Sequence, residues 1–478
     1  MDISGNGDGL FRRKSHPYIG KASIIGEQER LNAIADLNKG RDNKRKDGVE
    51  ITYYFELITD ERPGKALRNA GKMILDHGTV KPWSKEGDAG LKKPAGFDEY
   101  MSWACDFKLL GYNGREGLES GIITIAYPMR FFDKRGDGNV SMAQFLTAVA
   151  SEPFSAFSFY QGAKIIDLKL PAAMKRQFPG QVWPNKRVRE YLRIGNDEPI
   201  IGTIVKPKTG LTPELFSRSV VEAALAGARF TKADENMHLA LKEIPKYVGR
   251  VVKDLTKAGF DLGRSNRPKG RRFLFAPHIT SDPDMLTDYA RAAVEAGANA
   301  LMFSPYFAGG FLKMAEIVRK FDVPVYAHTA GMNVMTGSLN WGFDPRVMYL
   351  LSASFGAAFM QITTKGGYLR PMDEEKEAIL QSLKDNGLDG DNGMTLAIAG
   401  GLGPANIGYN IQQLGGQGRM FLAGSSVYSH PDGPSAGVKA ILLAYQAYRK
   451  QGITGKDALR NFARGLGDAG LPLLHALA

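Results

Sequence analysis

Residues 199–234 read PIIGTIVKPKTGLTPELFSRSVVEAALAGARFTKAD. A β-branched run, PIIGTIVKP, leads into the amphipathic stretch PELFSRSVVEAALAG and then into a second apolar run, ARFTKAD. Strand, helix and strand in this order form the unit of a parallel sheet, because parallel neighbours need a crossover connection. Local signals agree with that reading. Pro213 stands near the first turn of the helix, where a missing N–H costs nothing, and Gly227 follows its last turn, where a left-handed residue is needed.

The same rhythm continues toward the C-terminus. RRFLFAPHI, NALMFSPY, VPVYAHTAG, AAFMQITT, MTLAIAGG and GRMFLAGSS are further short apolar runs, separated by helical stretches such as DMLTDYARAAVEAG, which Gly297 ends, and LKMAEIVRKF. Eight strands with intervening helices, over the usual barrel length of about 250 residues, predict an α/β fold in which 189–478 form a (β/α)8 TIM barrel. A doubly wound open sheet is the competing architecture. Upstream, ITYYFELI, GIITIAYPMRFF and AKIIDLKLP read as strands and Met142–Val149 as a helix, predicting a small α+β, ferredoxin-like domain over 49–188. Residues 1–48 read as a basic extension holding a short helix between Lys21 and Leu37 and a flexible joint, GRDNKRKDG.

Composition narrows the function classes. At 478 residues the chain is long enough for two domains, and 43% hydrophobic residues supply ample core. No apolar run reaches the roughly 18 residues of a membrane span. The start, MDISGNGDGLFRRKSHPY, lacks a signal-peptide core, and the one cysteine, Cys105, cannot form an internal disulfide; a cytoplasmic protein is expected. The net charge of +12 suits anionic partners. The cations are scattered, however, and the densest cluster, Lys44-Arg45-Lys46, sits in the polar joint. Phosphorylated metabolites and nucleic acid both suit that charge, but no aromatic-plus-basic stripe of the kind single-strand binders use is present, and neither a nucleic-acid nor a membrane partner is expected.

In a barrel, chemistry belongs at the C-terminal ends of strands. Strand one ends in Lys206-Pro207-Lys208, two lysines at i, i+2 spacing that would face the mouth together, or else a pair of surface lysines. Strand two ends in Lys232-Ala233-Asp234-Glu235. That set is either a salt-bridge cluster or, if CO2 converts the amine to a carbamate, three anionic groups suited to a hard cation such as Mg2+. His328 ends strand five, as a proton shuttle, a hydrogen-bond donor or a structural residue. Gly400-Gly401 and Gly424-Ser425 end strands seven and eight, where backbone N–H groups can approach phosphate or simply make tight turns. Asp133, Asp137 and Gly138 mimic a calcium loop, but Arg135 and Gln144 replace ligands, so a hairpin turn is expected. Walker A, Rossmann and zinc-type spacings are absent.

Together, GTIVKPKTGL, AGARFTKADEN, AHTAGMN, LAIAGGLGP and AGSSVYSHPDGPSAG resemble, in order, the active-site segments of the RuBisCO large-chain superfamily, over roughly residues 120–450. The resemblance implies an α+β domain before a (β/α)8 barrel, and antiparallel homodimers with active sites at the shared interface. It implies that Lys232 is carbamylated and holds Mg2+ with Asp234 and Glu235. Lys206 would move protons at the substrate carbon, with Lys208 beside it; His328 matches the first active-site histidine; Gly400, Gly401, Gly424 and Ser425 match the binders of the first phosphate. Departures are equally plain: Thr329 stands where carboxylating members carry the arginine that grips the second phosphate, Ala399 replaces a serine, and Glu152 replaces an asparagine. Lys365 is displaced by about two positions from the flexible-loop lysine. The pattern is most like a RuBisCO-like protein of form IV. It implies Mg2+-dependent enolisation of a phosphorylated ketose or sugar acid, by an isomerase or tautomerase of the methylthioribulose-phosphate type or by a decarboxylase of β-keto sugar-acid phosphates. A divergent ribulose-bisphosphate carboxylase and a non-catalytic binding protein on the same fold are the alternatives.

Overall fold

Alternating burial organises the first sheet. In the computed structural model, described for residues 16–44, 48–84, 91–132, 140–151, 154, 159–265, 267–366, 369 and 371–478, strand β1 (Gly48–Ile58) sends Val49, Ile51, Tyr53, Phe55 and Leu57 into the core. It pairs antiparallel with β3 (Leu118–Pro128) on one side and β4 (Tyr160–Lys169) on the other, and β2 (Trp103–Asn113) pairs with β3. Helices Lys65–His77 and Met142–Ala150 connect β1 to β2 and β3 to β4. The βαββαβ sequence with strand order β4-β1-β3-β2 is the ferredoxin-like arrangement expected from sequence. A fifth strand, Trp341–Phe343, joins parallel to β4 from far down the chain, which the sequence reading did not foresee.

The stretch read as an extension is built into this unit. Ala33 and Leu37 of helix Glu27–Leu37 are buried. Asn38, 6% exposed, donates to the Ala104 carbonyl and accepts from the Ala104 N–H, both at 2.8 Å. Tyr18 donates to Asp344 at 2.6 Å, and Arg41 pairs with Asp76 and donates to the Ser102 carbonyl. Residues 16–44 therefore belong to a packed domain rather than a loose arm; most of the basic start, the Arg45–Asp47 part of the joint and the calcium-like stretch around Asp133–Gly138 lie outside the described residues.

The chain divides into Met1–Met174 with Ser338–Val347, and Lys175–Gly337 with Met348–Ala478. Residues 175–188, read from sequence as the end of the first domain, fall in the second unit. The reason is burial: Trp183 and Val188 pack with Ile200, Phe230, Leu274 and Met420 in the barrel's own core. Each such side chain, fully buried, contributes on the order of 2 kcal/mol.

Eight parallel strands build that unit: β5 (Ile200–Ile204), β6 (Phe230–Lys232), β7 (Leu274–Ala276), β8 (Leu301–Phe303), β9 (Val325–Ala327), β10 (Phe359–Thr363), β11 (Thr395–Ala399) and β12 (Arg419–Ala423). They coincide with the eight apolar runs. Hydrogen-bonded order runs β8-β9-β10-β11-β12-β5-β6-β7. A parallel bridge between His278 and Met302 links β7 back to β8, so the sheet closes as a barrel and not as an open doubly wound sheet. No helix among the described residues is long and apolar enough to cross a membrane.

Replacing Asn38 by Ala leaves the buried Ala104 N–H and C=O without their partner, a cost of about 1–3 kcal/mol. Urea unfolding of the full chain is expected to show a loss of that size; an unchanged midpoint would return residues 16–44 to the status of a dispensable arm.

Candidate active site

Parallel pairing sets the first two strand ends side by side. Ile204 is in register with Lys232, and the Val205 N–H donates to the Lys232 carbonyl at 3.1 Å. Lys232 is the last residue of β6, and its side chain is wholly buried. Its Nζ lies 3.7 Å from Glu235 Oε2, donates to the Ala233 carbonyl at 3.2 Å, and stands 5.4 Å from the centre of the Tyr326 ring. Burial pushes the Lys232 ammonium down to about 8, against the pull of Glu235 and Asp234.

Asp234, 1% exposed, is ion-paired with Lys206 Nζ and accepts from the Asn236 backbone N–H at 3.0 Å. Burial works to raise its carboxyl, but the Lys206 and Asn236 hydrogen bonds together hold it below the usual range. His328 Nδ1 accepts from the Ala330 N–H at 3.1 Å, which leaves Nε2 to carry the proton toward Glu235 Oε2 at 3.3 Å. Burial, reinforced by Lys232, drives the His328 imidazolium well below its ordinary range, so the ring is a neutral donor.

Lys206, Lys232, Asp234, Glu235 and His328 thus form one connected cluster. Lys208 does not join it: the residue is exposed and makes no ion pair among the described residues. Because β5 ends at Ile204, strand alternation does not govern the directions of Lys206 and Lys208. Among the described residues no three His, Cys, Asp or Glu side chains are grouped to hold a metal. The cluster offers two carboxylates and an amine; a third anionic oxygen for a cation here would have to come from modification of the amine.

Two glycine turns stand over the neighbouring strand ends. Gly400 and Gly401 have φ of 85° and 77°, and a Cβ on Gly400 would meet Leu369 at 2.8 Å. Thr364 donates to the Gly400 carbonyl at 2.8 Å, and Ser426 donates to the Leu402 carbonyl at 2.7 Å, tying the loop after β11 to those after β10 and β12. Gly424 lies against the cluster: a Cβ there would sit 3.3 Å from Lys206 Cε. Ser425 is exposed and begins the short helix Ser425–Tyr428. Lys365 Nζ donates to Glu377 Oε1 at 2.7 Å. Glu152 lies outside the described residues.

Sequence reasoning missed several contributors. Asn236 orients Asp234, and Tyr326 faces Lys232. His278, 5% exposed, contacts the Met237 carbonyl through Nδ1 at 3.1 Å and Thr280 Oγ1 through Nε2 at 2.6 Å. Its position just beyond the run RRFLFAP marked a strand end, the same signal that singled out His328.

The chain is similar to known proteins in this region and beyond it. Residues 186–466 match the model of the ribulose bisphosphate carboxylase large chain, catalytic domain. A ribulose bisphosphate carboxylase of Methanocaldococcus jannaschii is 25% identical over 397 residues, covering 80% of this chain and 89% of that protein. A 2,3-diketo-5-methylthiopentyl-1-phosphate enolase of Bacillus cereus is 26% identical over 339 residues, covering 70% and 76%. The structure of octameric ribulose-1,5-bisphosphate carboxylase/oxygenase from Pyrococcus horikoshii OT3 superposes with a TM-score of 0.74 at 21% identity, covering 92% of this chain and 96% of that one.

Burial pushes the His278 imidazolium down to about 4. Its folded value lies below the unfolded value of about 6.5, so this group costs stability as pH falls from about 6.5 toward 4 and has no effect above that window. An NMR titration of the ring is expected to show a midpoint near 4; a midpoint near 6.5 would contradict the burial.

Proposed function

The chain belongs to the ribulose bisphosphate carboxylase large-chain family, and from that membership we propose an Mg2+-dependent enzyme that enolises a phosphorylated ketose or sugar acid. The observation that carries the reading is the state of Lys232: a fully buried amine, its charged form disfavoured, beside two carboxylates. A neutral amine adds to CO2, forming an N–C bond and releasing one proton. The resulting carbamate completes, with Asp234 and Glu235, an all-oxygen set suited to Mg2+. When bound there, Mg2+ supplies a Lewis acid for a substrate carbonyl and the oxygen next to it.

The chain's own residues take the remaining roles. The base is the Lys232 carbamate or Lys206; Lys206, ion-paired with Asp234, would first have to give up its proton as a bound cation takes over that carboxylate, and would then take the proton from the substrate carbon as the neutral amine. His328 offers a neutral N–H to the oxygen that gains charge. The backbone N–H groups of the Gly400-Gly401 and Gly424-Ser425 turns receive one phosphate. Lys208, being exposed, serves only at the rim. Thr329 cannot supply the charge of an arginine, so a second phosphate has no such partner there. This disfavours ribulose bisphosphate and favours a monophosphate, whose enolate is reprotonated elsewhere (isomerisation or tautomerisation) or arises by loss of CO2 from a β-keto acid. The B. cereus relative's name, an enolase of a monophosphorylated diketone, points the same way. The octameric structural neighbour supports a homodimer or a multiple of dimers.

In buffer containing Mg2+ and bicarbonate, the protein is expected to exchange a carbon-bound proton of monophosphorylated ketoses with D2O, and Lys232→Ala should slow this by about 100-fold or more. Undiminished exchange in the variant would end the carbamate reading. With ribulose bisphosphate and labelled bicarbonate, no acid-stable label is expected; clear incorporation would make the protein a carboxylase.

A further inference from the structure

The turn that carries both carboxylates is short and partly self-supporting. Asp234 accepts from the Asn236 N–H through Oδ1 and from the Met237 N–H through its backbone carbonyl, at 3.0 and 3.1 Å. These bonds fix the start of the turn. Its far end is the buried Met237, whose carbonyl meets His278 Nδ1 at 3.1 Å.

A carbonyl oxygen only accepts, so Nδ1 must carry the ring proton. Nε2 then has a lone pair and accepts from the Thr280 hydroxyl at 2.6 Å. That hydroxyl in turn accepts from the Ser304 N–H at 2.9 Å. His278 itself forms the single bridge between β7 and β8: the Met302 N–H donates to the Pro277 carbonyl at 3.0 Å, and the Ile279 N–H to the Met302 carbonyl at 2.9 Å. One neutral imidazole therefore ties the strand-two turn to the seam where the barrel closes.

We propose that His278 is a positioning residue, which sets the place of Asp234 and Glu235 through the Met237 carbonyl without touching substrate. The proposal rests on the reading of these carboxylates as cation ligands. A side chain that only fills space at this point would be replaceable by an apolar ring of similar size. A brace requires an N–H where Nδ1 stands. Asn can supply that N–H, Gln reaches only the Nε2 position, and Phe supplies neither.

The test uses Mn2+, followed by its electron paramagnetic resonance signal, as the probe for the full-length chain in bicarbonate buffer. The wild type is expected to bind; His278→Phe and His278→Gln should bind about 10- to 100-fold more weakly, while His278→Asn stays within about threefold of wild type. Thermal unfolding of each variant, read in parallel without Mn2+, separates loss of the brace from loss of the fold. Should His278→Phe bind as tightly as wild type, the positioning role is overturned and the ligand assignment stands. If Asn and Phe weaken binding equally in folded protein, the residue is a packing element and the proposal also falls. No Mn2+ binding by the wild type would overturn the ligand assignment, and this inference with it.

Discussion

An amine that has no access to water constrains everything around it. Lys232 ends a barrel strand inside the packed interior, where an isolated ammonium costs about several kcal/mol. Two responses are open to such a group: lose the proton, or gather opposite charge. This site shows both, since burial lowers the amine's proton affinity while Glu235 and Asp234 oppose that shift. The balance leaves the ammonium at about 8, so a minor but accessible neutral fraction, the form that reacts with CO2, is present near physiological pH.

The neighbouring groups are ordered by that choice. Asp234, nearly as buried, takes its counter-charge from Lys206 on the adjacent strand, so each carboxylate has its own lysine. His328 is neutral first because burial disfavours its charged form and then because Lys232 would repel a second cation, and its tautomer is set by the Ala330 N–H. Around this charged centre stand turns that carry no charge at all. The Gly400 and Gly424 loops are tied to their neighbours by hydroxyl-to-carbonyl bonds, Thr364 to Gly400 and Ser426 to Leu402.

The fold was legible where periodicity carries the information. Each of the eight apolar runs became a barrel strand, since a strand buried on both faces must be apolar throughout. Three of the four strands of the ferredoxin-like unit stood out as apolar runs, whereas Trp103–Asn113 and the helix Lys65–His77 were not marked, and the strand order came only with the structure. The N-terminal stretch was misread because polar composition hides single buried anchors: Asn38 and Arg41 look like linker residues until their backbone partners are known. The parallel strand Trp341–Phe343 was missed because its residues are exposed or half-buried around a glycine and form no apolar run, unlike the equally short barrel strands. Lys208 was grouped with Lys206 by a rule that holds only inside a strand.

By itself the sequence determined which residue types arrive at the strand ends, and in what order: Lys206, then Lys-x-Asp-Glu, then His328, then two glycine turns. Composition and order are local properties, fixed by periodicity and turn chemistry. Tertiary structure alone decided which carboxylate meets which lysine, and that His328 and His278 are neutral donors with fixed tautomers. It also decided that a bridge at His278 closes the barrel beside the turn that carries Asp234 and Glu235. Those outcomes depend on distances between strands far apart in the chain and on exclusion of water, and neither exists until the barrel has closed.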